Sequence, residues 1–186
     1  MQEQMVLLAA ETRGISAFAL RYQNVYGPGQ SLKNPYTGII SIFSKLLLTN
    51  KPINIFEDGK ESRDFVFITD VVNATCKAID HSDSTAIKSL NVGNGTPTSV
   101  EEIATILKTL YSSSSELNTS GNYRLGDIRH NTADLTRVKA TLDFAPQISI
   151  KEGLKRFASW VKTQEVGVDE SYENSLSELR KRGLFK

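Results

Sequence analysis

Two arginines in this 186-residue chain stand where they could hold an anion. Arg63 lies between a glycine-containing turn and the apolar run Phe65–Ile68, which is an awkward place for an unpaired charge. Arg129 follows Asp127 in an otherwise uncharged neighbourhood. A guanidinium group can hold two oxygen atoms of one anion at the same time. We therefore consider both arginines as candidate binding residues.

Structural ion pairs are the alternative for both side chains. In that case Arg63 would pair with Asp64 or Asp70, and Arg129 would pair with Asp127. Such pairs are common on protein surfaces, so the local sequence alone leaves both possibilities open.

The stretch Leu20–Gln30 marks the end of a predicted strand. The apolar run Ile15–Leu20 is followed by the polar side chains of Gln23 and Asn24 and then by a Gly-Pro-Gly turn. Because α/β proteins place ligands at the carboxyl ends of buried strands, this spacing favours a ligand contact. The Asn24 amide can both donate and accept hydrogen bonds. The alternative is an ordinary strand and turn, in which Asn24 caps the turn.

Other reactive residue types are isolated in the sequence. His81 and His130 are too far from further ligand types to predict a metal site. The single cysteine, Cys76, excludes an intramolecular disulfide, and its apolar helical pattern predicts a buried structural thiol. The serine run 112–115 lacks the strand–turn–helix setting of a nucleophile. We therefore predict no catalytic group and no metal site among these residues.

Strands and helices alternate along the chain, which predicts an α/β fold. Apolar spacing predicts helices over residues 1–13, 39–47, 70–79, 99–110, 134–142 and 149–161, with strands near 15–22, 53–56, 65–68 and 90–93. Gly14 would end the first helix. Ser99 and Ser149 each stand three residues before a glutamate and predict capping boxes.

The composition limits the class of protein. Hydrophobic residues make up 39% of the chain, enough for a core, and the net charge of +1 predicts neither nucleic-acid binding nor attraction to anionic membranes. No apolar run approaches the roughly 20 residues that cross a bilayer. The first residues also lack the pattern of a signal peptide. We expect a cytoplasmic protein.

Four segments in order resemble the nucleotide-sugar epimerase/dehydratase family, the extended short-chain dehydrogenases. The first is Arg21–Pro28, similar to the family's Arg-Tyr-Phe-Asn-x-Tyr-Gly-Pro segment, and the others are Asp58–Asp70, Leu90–Gly95 and Gly126–Arg129. The resemblance covers roughly residues 1–162 and corresponds to the second half of such an enzyme.

The resemblance implies a role for each candidate site residue. Arg63 and Arg129 would bind the nucleotide phosphates, Asn24 would bond the sugar or the diphosphate, and Asp127 would join them at the substrate. Tyr22 and Gln23 would lie beside the nicotinamide of the cofactor. The remaining substrate contacts would come from Tyr36, Thr37, Gly38, Asn54, Phe56 and Asn131. Of these, Asn54 and Phe56 would meet the base, although Phe56 could equally point into a plain core, and Asn131 would shape the far end of the sugar pocket.

The same resemblance implies a fold and its division. Residues 1–30 and about 65–110 would form the edge of a Rossmann-type parallel sheet, and 31–62 with 115–150 would form a small α+β substrate-binding lobe. Residues 1–166 would then be the C-terminal half of a truncated enzyme. Residues 167–186 would be a helical tail whose leucines dock on the body or on a partner.

The implied parent is an NAD-dependent nucleotide-sugar epimerase acting on a UDP- or dTDP-hexose. The chain has neither the family's Gly-x-x-Gly-x-x-Gly turn nor its Tyr-x-x-x-Lys pair. We therefore expect most of the NAD site to be missing, no catalytic residue in this chain, and no activity from the chain alone. The alternatives are a dehydratase or reductase half, or a non-catalytic module that binds sugar nucleotides. An unpaired strand edge at 15–22 would favour a homodimer.

Overall fold

The computed structural model describes residues 1–32, 38–83, 85–165 and 171–186. The helices in this part of the chain are α1 Gln2–Arg13, α2 Ile39–Leu48, α3 Ile68–Ile79, α4 Val100–Tyr111, α5 Thr136–Leu142, α6 Ile150–Val161 and α7 Ser171–Lys181. The strands are β1 Ala17–Tyr22, β2 Asn24–Tyr26, β3 Ile53–Ile55, β4 Ser62–Phe67, β5 Ile87–Val92, β6 Pro97–Ser99 and β7 Leu117–Thr119.

The strands pair in three small groups, and most pairs are parallel. β1 runs parallel to β5 from Ala17 opposite Ile87 to Tyr22 opposite Val92. β2 runs parallel to β4, which also pairs antiparallel with β6. β3 runs parallel to β7. Parallel strands joined by helices confirm the predicted α/β class.

The main core lies between helices α2, α4 and α6 and the strands β2, β3 and β4. Its buried side chains include Phe43, Phe65, Leu107 and Phe157. A second, smaller core joins β5 to α3 and α5 through residues such as Leu90 and Val138. Burial of these apolar surfaces is the main favourable contribution to folding.

Local signals set several helix ends as predicted. Gly14 ends α1 in the left-handed conformation at φ 63°, where glycine is favoured. Ser99 Oγ accepts the Glu102 N–H at 3.1 Å, and Ser149 Oγ accepts the Glu152 N–H at 3.3 Å. Both predicted capping serines therefore cap their helices.

Two buried aspartates hold loops in place and pair with no arginine in the part of the chain that the structure describes. Asp64 is fully buried and accepts the N–H groups of Asn94, Gly95 and Ala133 at 2.6, 2.9 and 3.0 Å. Asp70 accepts the N–H groups of Gln147 and Ile148, both at 3.1 Å. The expected alternative, in which one of them pairs with Arg63, is therefore wrong.

The outer face of α3 differs from the sequence expectation. Cys76 is exposed, so the predicted buried thiol is wrong. Val72 and Ile79 lie on the same side of the helix and are 52% and 76% exposed. The periodicity identified an apolar stripe, but no described part of the chain covers it. The helix also begins at Ile68, two residues before the predicted start.

The described tail packs against the body of the chain. After α7, Phe185 is buried, with 6% exposure. Its neighbours form a short antiparallel contact with residues 123–125, in which Tyr123 and Lys186 exchange backbone hydrogen bonds of 2.8 and 3.0 Å. Across the described ranges, no helix is both long and apolar enough to span a membrane.

Candidate functional site

A hollow of about 450 Å³ lies at the starts of β2 and β4 and the end of β3, near the start of α2, the loop after β7 and the helix α7. Polar and apolar side chains from separate segments line it together. Its lining residues are Asn24, Gly38, Ile39, Ile42, Phe43, Asn54, Phe56, Glu57, Glu61, Arg63, Phe65, Val100, Arg124, Asp127, Ser175 and Leu179. This list contains six of the residues that the sequence predicted for substrate binding.

Arg63 extends from β4 into this wall and is held by three acceptors. Its Nη1 donates to the carbonyl oxygens of Ser62 at 2.9 Å and Arg129 at 3.2 Å, and its Nη2 donates to Asp127 Oδ1 at 2.8 Å. The side chain is only 18% exposed. Since these contacts fix the guanidinium plane before a ligand arrives, little side-chain entropy remains to be lost on binding.

Arg124 is a lining residue that the sequence did not predict. It lines the hollow, with its Cζ 5.5 Å from the centroid of the Phe56 ring. Among the described residues it makes no ion pair, so its guanidinium is available for an anion. The available signal was its position three residues before Asp127, which places both on the loop that enters the hollow.

Two amide side chains complete the polar lining. Asn24, at the start of β2, and Asn54, in the middle of β3, are exposed and line the hollow. In the described part of the chain, neither side chain makes a hydrogen bond, so both amides can bond a ligand. Gly38 lines the hollow as the N-cap residue of α2. Tyr36 and Thr37 lie outside the described residues.

Phe56 is half-buried at the wall of the hollow, not within a plain core. Its ring meets the ring of Phe185 edge to face, with 4.9 Å between centroids. With Arg124 over the ring, Phe56 offers an apolar surface beside a cationic one.

Arg129 does not line the hollow, in contrast to the prediction. Its Nη1 pairs with Glu57 Oε2 and its Nη2 pairs with Asp58 Oδ2, both at 2.7 Å. The hydrogen bond from Arg129 holds the pKa of Asp58 below its usual range. The alternative pairing of Arg129 with Asp127 is wrong too, because Asp127 binds Arg63. The guanidinium that was expected to bind the nucleotide phosphates is therefore already paired with two carboxylates.

Glu61 is the unusual acid of this wall. It is 6% exposed, and neither carboxyl oxygen has a partner among the described residues. Burial, with a smaller contribution from the nearby charges of Glu57 and Asp58, raises its pKa. The three carboxyl groups lie within 4.8 Å of one another, and Arg129 neutralises two of them. We assign no metal ion to this group.

The predicted cofactor residues lie at the end of β1, outside the lining of the hollow. Gln23 Oε1 accepts a hydrogen bond from Asn131 Nδ2 at 2.9 Å, and the Tyr22 hydroxyl lies 2.9 Å from Thr75 Oγ1. Asn131, which was predicted to shape the far end of a sugar pocket, thus lies beside Gln23 and outside the lining of the hollow. The backbone N–H of Gln23 donates to Val92, which places the group where the parallel strands β1 and β5 end together.

The hollow combines two guanidinium groups, an aromatic ring and two amides that make no hydrogen bond in the described part of the chain. It also contains three carboxyl groups, of which Asp127 pairs with Arg63 and Glu57 pairs with Arg129. Such a set suits an anionic ligand that also carries a flat ring and hydrogen-bonding groups. His130 makes a different contact, since its Nδ1 lies 2.9 Å from Ser62 Oγ. Within the described ranges, no side chain in the hollow is arranged as a nucleophile with its base.

Comparisons with known proteins agree with this description. The profile of the NAD dependent epimerase/dehydratase family matches residues 1–93. A dTDP-L-rhamnose 4-epimerase of Burkholderia thailandensis is 40% identical over 142 residues, which are 76% of this chain and 39% of that protein.

The solved structures that resemble this chain include two further epimerases. The UDP-glucose 4-epimerase of Thermotoga maritima with UDP-glucose is 33% identical, with a TM-score of 0.77 over 86% of this chain and 50% of that one. The UDP-glucuronic acid 4-epimerase of Bacillus cereus, in complex with UDP-glucuronic acid and NAD, is 26% identical, with a TM-score of 0.74 over 86% of this chain and 49% of that one.

The chain spans between 39% and 50% of the length of these proteins. The matched family profile covers residues 1–93 of 186, half of the chain. The parallel strands and the order of the four sequence motifs fit the same family. This chain therefore belongs to the NAD dependent epimerase/dehydratase family.

Proposed function

We propose that this chain binds a nucleoside diphosphate sugar in the hollow. Arg63 and Arg124 bind the diphosphate, Asn24 bonds the diphosphate or the sugar, and Phe56 with Asn54 receives the base. The observation that carries the proposal is the convergence of Arg63, Arg124 and Asn24, from three separate segments, on one hollow. The solved relative that holds UDP-glucose supports the choice of ligand.

The two guanidinium groups of the hollow favour this ligand. A diphosphate carries negative charge over several oxygens, and two arginines can bind it through charge-assisted hydrogen bonds. Asp127 balances part of the charge of Arg63 and keeps its guanidinium oriented. The guanidinium of Arg124, which makes no ion pair among the described residues, then supplies further attraction for the diphosphate.

A protein that contains this chain would be an NAD-dependent nucleotide-sugar 4-epimerase acting on a UDP- or dTDP-hexose. Tyr22 and Gln23 fit one wall of the NAD site, because they lie at the carboxyl end of a parallel strand and Tyr22 is 46% exposed. When bound, NAD supplies an acceptor and donor for a hydride of the sugar. The residues of this chain bind and orient the sugar nucleotide. Without Gly-x-x-Gly-x-x-Gly and Tyr-x-x-x-Lys motifs in its sequence, we propose binding without turnover for the chain alone.

We also propose that the chain self-associates as a homodimer. Among the described strands, β1 pairs only with β5, which leaves its other edge open. Met5 and Leu8 of the adjoining helix α1 are 64% and 62% exposed. Sedimentation at high concentration tests this proposal, and a stable monomer would contradict it.

Calorimetry with UDP-glucose, dTDP-glucose, UDP and uridine tests the binding proposal. We expect UDP and a nucleotide sugar to bind and uridine to bind far more weakly, because both arginines act on phosphate. Arg63→Ala should weaken UDP binding by about 1–3 kcal/mol, the range for hydrogen bonds to charged groups. Arg156→Ala, on an exposed face of α6, is the matched control. Equal binding of uridine and UDP, or unchanged affinity of Arg63→Ala, would overturn the proposal.

A further inference from the structure

We propose that the tail, defined as α7 with residues 182–186, closes the base end of the hollow, which is the end at Phe56 that is proposed to receive the base. In this position the tail holds the nucleotide in place. This inference rests on the proposed function. Its first support is position, because Ser175 and Leu179 of α7 line the hollow. A ligand in the hollow would therefore contact the tail directly.

The tail returns to the hollow through a defined reversal. Gly183 has a φ of 70°, and the Leu184 N–H donates to the Leu179 carbonyl at 2.9 Å as α7 ends. The chain then runs antiparallel to residues 123–125. The contact consists of the two hydrogen bonds between Tyr123 and Lys186 and one of 3.0 Å from Leu125 N–H to the Leu184 carbonyl.

This contact joins the tail to the loop that carries two charged side chains of the hollow, Arg124 and Asp127. Arg124 lies between the two bonded positions, and its backbone forms an isolated bridge with Phe185. Asp127, which binds Arg63, follows three residues later on the same loop. Docking of the tail and placement of the Arg124 guanidinium are therefore linked through one short segment.

Phe185 couples the tail to the base end of the hollow. Its ring packs on the edge of Phe56, and Arg180 Cζ lies 5.1 Å from the Phe185 centroid while Arg124 Cζ lies 5.5 Å from the Phe56 centroid. Two arginines and two phenylalanines thus form one cluster, in which Phe185 supports the ring that is proposed to receive the base. Loss of Phe185 would leave Phe56 free to turn away.

The tail is a peripheral element with a polar helix, which suits a wall that opens and closes. Most described side chains of α7 are exposed, and Glu178 pairs with Arg182 within the tail. Local openings of such peripheral elements require little free energy compared with unfolding of the core. A nucleotide that contacts both Phe56 and the tail would favour the closed arrangement, since a ligand shifts the population toward the state that it binds better.

The test compares Phe185→Ala with Ile79→Ala, because Ile79 is an apolar residue of α3 that is 76% exposed and lies outside the lining of the hollow. The probes are UDP and inorganic diphosphate, each titrated into the full chain. We expect Phe185→Ala to raise the Kd of UDP about tenfold, the upper range for loss of an aromatic pair. The Kd of diphosphate should stay unchanged, and Ile79→Ala should match the unchanged chain for both probes.

A second variant and a second measurement guard against loss of folding. Phe185→Leu keeps an apolar side chain and removes the ring, so it should also weaken UDP binding selectively. Hydrogen exchange of the Tyr123 and Lys186 amides should slow when UDP binds, because both donate in the tail contact. Unchanged UDP affinity in both Phe185 variants, or an equal loss of UDP and diphosphate affinity, would overturn the inference. If the unchanged chain binds UDP, these results leave the proposed function intact. If it binds neither probe, both proposals fail.

Discussion

Arg63 Nη2 donates to Asp127 Oδ1 at 2.8 Å, across 64 positions of the chain. The bond joins β4 to the loop after β7 at the wall of the hollow. The same guanidinium also donates to two carbonyl oxygens, so its plane is fixed from both strand and loop. We infer that Asp127 acts on the ligand chiefly by positioning Arg63.

The two arginines of the 122–131 loop should differ in their effect on ligand binding. Arg124→Ala removes a guanidinium that lines the hollow, and we expect UDP affinity to fall by about 1–3 kcal/mol. Arg129→Ala removes a guanidinium already paired with Glu57 and Asp58 outside the lining, so UDP affinity should change little. Calorimetry on both variants checks the contrast. A larger loss of UDP affinity in Arg129→Ala than in Arg124→Ala would indicate that Arg129 binds the phosphates.

Asp64 should be a major determinant of stability. Its carboxylate accepts three backbone N–H groups in a fully buried position, and Asp64→Asn replaces one acceptor oxygen with a donor. We expect a loss of about 1.5–3 kcal/mol in the free energy of unfolding, measured with urea. Asp80→Asn, at the exposed end of α3, is the control. Equal midpoints for the two variants would show that the Asp64 contacts contribute little.

Glu61 should make stability depend on pH. Because burial raises its pKa, the folded chain binds the Glu61 proton more tightly than the unfolded chain does. The stability from this proton is present below the ordinary glutamate pKa of 4.5 and is lost as pH rises through the raised value. Glu61→Gln should remove this part of the decline.

Thermal unfolding between about pH 4 and pH 8, a range that spans the ordinary pKa values of glutamate and histidine, measures the effect. Relative to the unchanged chain, the Glu61→Gln variant should gain stability toward the upper end of the range. Glu116→Gln, at an exposed position, should follow the unchanged chain throughout. Parallel curves for the unchanged chain and Glu61→Gln would rule out the proton on Glu61 as the cause.

Gly153 should not tolerate alanine, although alanine favours helices. A Cβ at this position of α6 would overlap the Tyr26 hydroxyl and lie 3.0 Å from Phe67 Cδ2, both in the main core. Overpacking of this kind costs about 1–3 kcal/mol in the free energy of unfolding. Urea unfolding of Gly153→Ala, compared with Lys155→Ala on the exposed face of the same helix, tests this expectation. A stabilised Gly153→Ala variant would contradict it.

The local sequence predicted those features that depend on local physics. Apolar residues at helical spacing, such as Phe43 and Leu47, identified α2, and the capping serines Ser99 and Ser149 marked two helix starts. The α/β class followed from the alternation of strands and helices. These features need only side-chain periodicity and hydrogen bonds between near neighbours.

Features that depend on distant partners were missed. Asp127 is 64 positions from Arg63, and Glu57 is 72 positions from Arg129, so nearby acids were chosen as partners instead. Periodicity also cannot say whether an apolar face is covered, and for this reason Cys76 was wrongly predicted to be buried. Arg124 was missed because its place in the hollow depends on a loop that contacts the tail.

The most direct test of the binding site is an NMR titration of UDP into the isotope-labelled chain, followed through its backbone amides. We predict that the largest shifts fall on Asn24, Phe56, Arg63, Asp127 and Leu179, which line one hollow although they are scattered along the sequence. Shifts confined to the separate hollow between α4 and α6, near Thr109 and Lys155, or no saturable shifts at all, would contradict it.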